Sequence, residues 1–177
     1  MLLKVIYKGE KYYRHRGTWV DESYIAATKG IQRALNQCYK DQHLNDLSTL
    51  SDEQILLEAK YFKSNESPEL ALDLLLYLYN KHSFINVVPS MVTSCYRMMG
   101  NSETAISFYE EVLSIYGYSM TTPELLTSVA AAFLDMKQYE KAKKLCAQAY
   151  SKSSGKPSDE LKSVYQRLRS EAAWLFD

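Results

Sequence analysis

The chain has 177 residues, of which 46% are apolar, 24% charged and 12% aromatic, and its 21 basic side chains balance 21 acidic ones. This composition predicts one globular domain with at most a small appendage, and excludes disordered or collagen-like polymers, which need high net charge or far more Gly and Pro. No apolar run is longer than the six residues from Leu74 to Tyr79, whereas a membrane-spanning helix needs about 20. A soluble, cytoplasmic protein is therefore expected, and the early charges at the N-terminus argue against a secretory signal.

The first 20 residues differ from the rest, because β-branched and aromatic residues are interrupted by two glycines. A turn around Gly9 predicts a β-hairpin. Asp21 is then expected to cap a helix over 22–42, in which apolar residues recur every three or four positions. The members of this stripe are Tyr24, Ala27, Ile31, Leu35 and Cys38.

From Ser51 onward the sequence predicts only helices. Ser51 and Gln54 form a capping box. Ser67-Pro68-Glu69 and Thr122-Pro123-Glu124 each supply a hydroxyl N-cap, a proline at the first helical position and an acid at the positive end of the helix. Short connections make neighbouring helices antiparallel. The expected helices run over 52–64, 67–81, 87–99, 102–116, 123–136, 139–152 and 158–175.

These helices repeat in pairs. A small residue early in the second helix of each pair recurs at spacings of 34 and 37 residues. An aromatic residue precedes it by nine positions, and another small residue precedes the aromatic by three. Small side chains let helices approach closely, and stacking buries apolar faces that a single pair leaves exposed. The three sets are Ala59, Phe62 and Ala71; Thr93, Tyr96 and Ala105; and Ala130, Phe133 and Ala142.

With this period, residues 52 to about 152 resemble three tetratricopeptide repeats. Pro89 replaces the usual Trp of the second repeat, and Glu58 stands where the first repeat favours Leu. The resemblance implies a mainly α superhelix of antiparallel helix pairs with a short N-terminal β-hairpin. It divides the chain into a hairpin-and-helix appendage over 1–50, three repeats over 51–157 and a capping helix over 158–177. The third repeat matches best, through Leu126, Val129, Ala130, Phe133, Tyr139, Ala142 and Ala149.

Catalytic and metal-binding signals are weak. Three cysteines at wide spacing form neither a disulfide framework nor a CxxC pair, and are expected to be buried in a reducing compartment. The chain contains no GxGxxG, GxxxxGK[ST] or HExxH motif. We therefore predict no cofactor, no metal and no enzymatic activity.

The function is thus expected to lie in a surface. In tetratricopeptide proteins the first helix of each pair lines a concave groove, which implies a protein-binding adaptor, assembly factor or chaperone-like holder. Lys60, Lys63 and Arg97 are interpreted as a basic end that attracts a carboxylate or acidic peptide, or alternatively as solvated surface charge. The implied groove residues are Leu56, Lys60, Lys63, Val87, Ser90, Ser94, Arg97, Thr127, Ala131 and Leu134.

The basic N-terminal segment suggests an alternative function. Residues 1–20 carry five Lys and Arg side chains against one Glu, and residues 11–16 interleave aromatic with basic side chains. Such interleaving is typical of single-stranded RNA binding, in which aromatic side chains stack on bases and basic side chains contact phosphates. The other interpretation is a hairpin that packs on the following helix, with its charged face protecting the sheet edge. The candidate nucleic-acid contacts are Lys11, Tyr12, Tyr13, Arg14 and Arg16.

The C-terminal helix ends with more apolar surface than one stripe buries. Trp174 and Phe176 are the additional aromatic side chains. Their position predicts either a homodimer contact or a fold-back onto the same chain.

Overall fold

The computed structural model describes residues 3–42, 47–65 and 67–176. The chain forms two compact units, the first reaching to Lys81 and the second starting at His82. This division differs from the expected boundary at residue 50, because side chains of the following helix bond to the N-terminal strands. No helix in the described ranges is both long enough and apolar enough for a bilayer crossing.

The N-terminal strands form a three-stranded antiparallel sheet in the order β1 (Lys4–Tyr7), β2 (Glu10–His15) and β3 (Thr18–Val20). The expected hairpin is confirmed as β1 and β2, which are joined through Gly9. The strand β3 was not predicted from the sequence, since three residues are too few for a recognisable alternation.

The helix expected over 22–42 begins later, so that prediction is wrong at its start. Helix α1 spans Lys29–Gln42. Asp21 does not cap it, because its carboxylate accepts the backbone N–H groups of Ser23 and Ile25 at 2.8 and 2.9 Å and closes a local turn. Tyr24 lies in this turn and is 66% exposed. The first part of the predicted apolar stripe therefore lies outside the core.

Two further helices complete the first unit, α2 (Asp52–Ser64) and α3 (Pro68–Asn80), which pack along each other. The capping box at the start of α2 is confirmed. The Ser51 hydroxyl accepts the N–H of Gln54 at 3.3 Å, and the Gln54 side chain accepts the N–H of Ser51 at 3.1 Å.

The start of α3 matches the expected position but not the expected cap. Pro68 is the first helical residue, yet the Ser67 side chain makes no capping hydrogen bond. The Ser67 hydroxyl instead accepts the side-chain amide of Asn36 in α1 at 3.1 Å. The hydroxyl thus joins α1 to the α2–α3 connection instead of capping its own helix.

Gly17 allows α2 to approach the sheet closely. Its φ of +78° favours glycine, and a Cβ at this position would lie 2.8 Å from the Tyr61 ring. The Gly17 carbonyl also accepts the side-chain amide of Asn65 at 3.0 Å. The turn between β2 and β3 is therefore held against the end of α2.

The second unit contains five α-helices in the residues that the structure describes. Adjacent helices pack in pairs, α4 with α5 and α6 with α7, and α6 also contacts α4, α5 and α8. A short 3-10 helix over Ala173–Leu175 follows. The helices are α4 (Val88–Met98), α5 (Ser102–Tyr116), α6 (Pro123–Asp135), α7 (Tyr139–Lys152) and α8 (Asp159–Glu171).

The small residues of the repeating pattern lie inside the helix pairs, as close approach requires. The six small side chains are 0% exposed, and their aromatic companions are buried or half-buried. The burial pattern of the three pairs thus agrees with the predicted spacing. The six buried small residues are Ala59, Ala71, Thr93, Ala105, Ala130 and Ala142.

Two of the three cysteines are fully buried, in agreement with the prediction. Cys95 and Cys146 lie in the core of the second unit, whereas Cys38 in the first unit is half-buried. Burial raises the pKa of the Cys146 thiol to about 11, which keeps this side chain protonated at neutral pH.

Candidate functional site

On α2 the predicted groove residues divide between surface and core. Lys60 is exposed and Lys63 is half-buried, but Leu56 is only 8% exposed. The neighbouring Leu57 is 50% exposed instead. Lys60 and Lys63 therefore keep the accessibility that a basic surface needs, whereas Leu56 stabilises the core of the first unit.

The predicted groove residues before and within α4 remain accessible. Val87, which directly precedes the helix, is 37% exposed, and Ser90 and Ser94 are half-buried. The Ser90 hydroxyl donates to the Val87 carbonyl at 2.8 Å. This hydrogen bond satisfies the Ser90 hydroxyl within the first turn of the helix. The accessible face of α4 therefore combines an apolar side chain, Val87, with the hydroxyl-bearing Ser90 and Ser94.

On α6 the three predicted groove residues are buried. Thr127 and Ala131 are 1% exposed and Leu134 is 0% exposed, and the Thr127 hydroxyl donates to the Pro123 carbonyl at 2.7 Å. The expectation that these three side chains line an open groove is therefore wrong. The physical reason is that α6 packs against four other helices of its unit, and the alanines at 130–132 let them approach closely.

A carboxylate at the end of α6 joins three other helices of the second unit. Asp135 Oδ2 accepts Arg97 Nε of α4 at 3.0 Å and the hydroxyl of Ser102, the first residue of α5, at 3.1 Å. Asp135 Oδ1 accepts Arg167 Nη1 of α8 at 2.6 Å. We call these four residues the Asp135 network. Arg97 is thus paired within its own unit and does not act as the free cation of a basic end.

An open cleft of about 550 Å³ lies beside this network and is called the end cleft. Met136 lines it and is 38% exposed, while Met98, next to Arg97 in sequence, is 48% exposed. Methionine is flexible and polarizable, and it adapts to partners of different shape. The residues that line the end cleft are Arg97, Gly100, Ser102, Glu103, Asp135 and Met136.

The Asp135 network predicts a loss of stability at acid pH. Partial burial raises the pKa of Asp135. Hydrogen bonds from Arg167, Arg97 and Ser102 and the charge of Arg97 together lower it by a larger amount, so the pKa lies below its ordinary value. A carboxyl with a depressed folded-state pKa stabilises the fold above its unfolded pKa of about 3.9 and loses this contribution as the pH falls through the folded-state value. We expect Asp135→Asn to lower the free energy of unfolding at pH 7, and its difference from wild type to shrink below about pH 4.

Urea unfolding over a pH series measures this difference. Glu110→Gln, on the exposed face of α5, is the control and should show little change at any pH. A difference for Asp135→Asn that stays constant well below pH 4 would contradict the assigned role of the Asp135 carboxylate.

Two of the five candidate nucleic-acid contacts are buried. Tyr12 is 8% exposed and Arg14 is 2% exposed, and both lie on one face of β2 because alternate residues of a strand share a face. The Tyr12 hydroxyl donates to Glu10 at 2.8 Å. Tyr12 and Arg14 are therefore not accessible to a nucleic acid.

The other three candidate contacts are more accessible. Lys11 and Arg16 are exposed and Tyr13 is half-buried, and the Lys11 ammonium lies 3.8 Å from the carboxylate of Glu22. Helix α1 packs against β1 and β3, so the sheet does pack on the following helix. The structure therefore separates the interleaved segment into a buried face and an exposed face.

Arg14 forms a buried cluster with residues of α1, α2 and β3, which we call the arginine cluster. Its Nε donates to Glu58 Oε2 at 3.2 Å, and its guanidinium carbon lies 4.1 Å from the centre of the Phe62 ring and 5.3 Å from that of Trp19. Arg14 Nη2 and the Tyr39 hydroxyl are buried without a hydrogen-bond partner among the described residues. The cluster therefore retains polar groups with unused bonding capacity.

Burial dominates the electrostatics of this ion pair. It lowers the pKa of Arg14 and raises the pKa of Glu58, and in each case the charge of the partner opposes the shift only in part. Burial also raises the pKa of Tyr39, which stays protonated. The pair thus holds two charges in an environment that disfavours both, and each charge depends on the other.

The C-terminal aromatic residues have different environments. Phe176 folds back, since its ring lies 5.5 Å from that of Tyr165, with Lys143 Nζ at 4.8 Å and the Arg169 guanidinium at 5.6 Å. Trp174 is 63% exposed. Of the two predicted alternatives, the fold-back describes Phe176, and the homodimer contact stays a prediction for Trp174.

Sequence reasoning missed two residues that organise the structure, although each is a charged residue at a position where charge is unfavourable. Glu58 is a charged residue at a position of α2 where the resemblance to tetratricopeptide repeats implies Leu. Asp135 is an acid at the C-terminal end of a helix, where the helix dipole disfavours negative charge. In each case an arginine from another element compensates for the unfavourable position.

Comparison of the chain with protein-family models, with curated proteins and with solved structures gave no match. The function is therefore inferred from the residues of the two units themselves.

Proposed function

We propose that the chain is a non-enzymatic protein-binding module of tetratricopeptide-like helix pairs, which acts as an adaptor, an assembly factor or a chaperone-like holder. The common register of its three pairs supports this proposal, because the same small positions are 0% exposed in each. In the second unit, α6 contacts the first helix of the preceding pair and also α8. Stacked pairs of this kind present rigid surfaces suited to holding another chain.

The observation that carries the proposal is the exposed Met136 of the end cleft, together with the exposed Met98, which follows the cleft residue Arg97 in sequence. Met98 ends α4 and Met136 follows α6, and both are more than one-third exposed. Large apolar side chains beside a polar cleft are typical of binding surfaces. A partner segment would place an apolar side chain against Met136, with polar groups toward the Asp135 network.

The Asp135 network makes such a cleft ready for binding. Hydrogen bonds from Arg97, Ser102 and Arg167 hold the ends of α4, α6 and α8 and the start of α5 at fixed distances. A preformed site reduces the conformational entropy lost on association, so that apolar contact contributes more of its free energy to affinity.

The binding role of the end cleft is tested by substitution of Met136, which lines it, together with Met98, the exposed neighbour of Arg97 in sequence. We expect the double variant Met98→Lys and Met136→Lys to weaken capture of partner proteins from a cell extract by at least about tenfold, because it replaces apolar contact with charge that must be desolvated. Quantitative mass spectrometry of the captured proteins, compared between variant and wild type, measures the loss. Circular dichroism confirms that the variant remains folded.

A matched control is Ile115→Lys, which changes an apolar residue of α5 that is 53% exposed in the same unit. It should leave the captured set unchanged. An unchanged set for the methionine variant, or an equal loss for the control, would remove the end cleft from the binding surface.

A further inference from the structure

A second cleft lies in the first unit, between the β2–β3 turn, α1 and the connection from α2 to α3. Its volume is about 630 Å³, which is in the range of small-molecule sites. Among the described residues it is lined by basic, amide, hydroxyl and small side chains, and by no Asp or Glu. The lining residues that matter below are Arg14, Lys29, Arg33, Asn36 and Ser67.

Three of these side chains are cationic. Lys29 and Arg33 are exposed and stand four residues apart on α1, so they share one face of that helix. Arg14 lines the cleft from below with a side chain only 2% exposed; its Nε bonds to Glu58 while its Nη2 has no partner among the described residues. Because the carboxylate of Glu58 balances the charge of Arg14, the net positive charge of this cleft comes from Lys29 and Arg33.

The N-terminus of α3 adds a further attraction for negative charge. Ser67 stands at its N-cap position and lines the cleft, but its hydroxyl accepts Asn36 and gives no cap to the first turn. Pro68 has no N–H, and the Ser67 N–H donates to the Phe62 carbonyl at 2.9 Å, so the N–H groups of Glu69 and Leu70 are the first-turn donors that an anion would meet. The helix dipole adds to this attraction. A neighbouring cleft of about 340 Å³ shares Arg33, Asn36 and Ser67 but includes Glu69, which limits the anion site to the larger cleft.

We propose that this cleft binds a phosphate monoester, with the phosphate group held by Arg33, Lys29, the Ser67 hydroxyl and the start of α3. A phosphate monoester carries about −1.5 to −2 charges at pH 7, which matches the surplus of two cations. The Arg14 guanidinium is buried against Phe62 and paired with Glu58, so the contacts to phosphate come from the exposed cations Lys29 and Arg33. This site lies in the first unit and is independent of the protein-binding role proposed for the end cleft.

Trp19 provides a local probe for this proposal. Its indole N–H donates to the Asn36 side chain at 2.7 Å, and Asn36 in turn donates to Ser67. Titration of the full chain with inorganic phosphate at constant ionic strength should shift the indole N–H resonance of Trp19 in a saturable manner. The exposed Trp174, 63% accessible in the second unit, is the internal control and should not shift.

Substitutions at exposed cations separate specific binding from general charge effects. Arg33→Gln and Lys29→Gln should each weaken phosphate binding by about tenfold or more, since each removes a charge-assisted hydrogen bond. The matched control Lys60→Gln removes an exposed cation of the same unit outside this cleft and should leave the dissociation constant unchanged.

Three results would overturn the proposal. The first is the absence of a saturable Trp19 shift, and the second is an equal loss of affinity in Lys60→Gln. The third is tighter binding of a single-stranded oligouridylate than of phosphate, abolished by Arg33→Gln, because it would assign the cleft to a phosphodiester backbone. None of these results bears on the methionine variants, so the two proposals fail separately.

Discussion

The variant Glu58→Leu is expected to lower the free energy of unfolding by about 3–5 kcal/mol, although Leu is the residue that the resemblance to tetratricopeptide repeats implies at this position. The substitution leaves the Arg14 guanidinium buried without its carboxylate, since this side chain is 2% exposed and bonds to Glu58 at 3.2 Å. Urea unfolding followed by tryptophan fluorescence measures the effect. Trp19 is the suitable reporter, because it is fully buried beside Arg14 while Trp174 is exposed.

Removal of both charges should reverse the loss. The double variant Arg14→Met and Glu58→Leu replaces the ion pair with apolar side chains of similar volume, and we expect its stability to equal or exceed that of the wild type. The control Glu53→Leu changes an exposed acid of the same helix and should have little effect. Equal destabilisation of the single and double variants would show that the pair contributes net stability.

The arginine cluster also explains why the first helix pair belongs with the sheet. Arg14 and Glu58 lie 44 residues apart in sequence and join β2 to α2. The close contact of Gly17 with Tyr61 holds the same two elements. An unpaired charge in any other arrangement would carry an uncompensated desolvation penalty, so the pair favours one packing of sheet against helix.

Local signals predicted the helices from residue 51 onward to within a few residues. The capping box at Ser51 and the hydroxyl of Thr122, which accepts the N–H of Leu125 at 3.2 Å, are formed as expected. Such signals succeed because their hydrogen bonds lie within four residues of sequence. Asp21 shows the limit, since an acid that caps a helix and an acid that closes a turn have the same local appearance.

The accessibility of the candidate site was harder to predict, because it depends on contacts between distant elements. Strand alternation placed Tyr12 and Arg14 on one face of β2, but burial of Arg14 depends on its contacts with Glu58 and Phe62 of α2, which are distant in sequence. On α6, helical periodicity alone predicts one buried stripe. Residues 125–134 are instead all buried, because neighbouring helices cover the remaining faces.

The burial of α6 leads to the second large effect that we expect. Leu134→Ala should lower the free energy of unfolding of the second unit by about 2–5 kcal/mol, because the side chain is 0% exposed and its removal leaves a cavity. A groove residue in contact with a partner would instead lose affinity while stability changed little. Urea unfolding followed by circular dichroism measures the difference between these outcomes.

Ile115→Ala is the matched control, since it removes an aliphatic side chain of the same unit that is 53% exposed. Its effect on stability should stay within about 0.5 kcal/mol. If Leu134→Ala were equally mild, α6 would have a face open to solvent, and Thr127, Ala131 and Leu134 would return to the binding surface. A large loss for Leu134→Ala alone would leave the end cleft as the place where the C-terminal end of α6 can contact a partner, because residues 125–134 are covered.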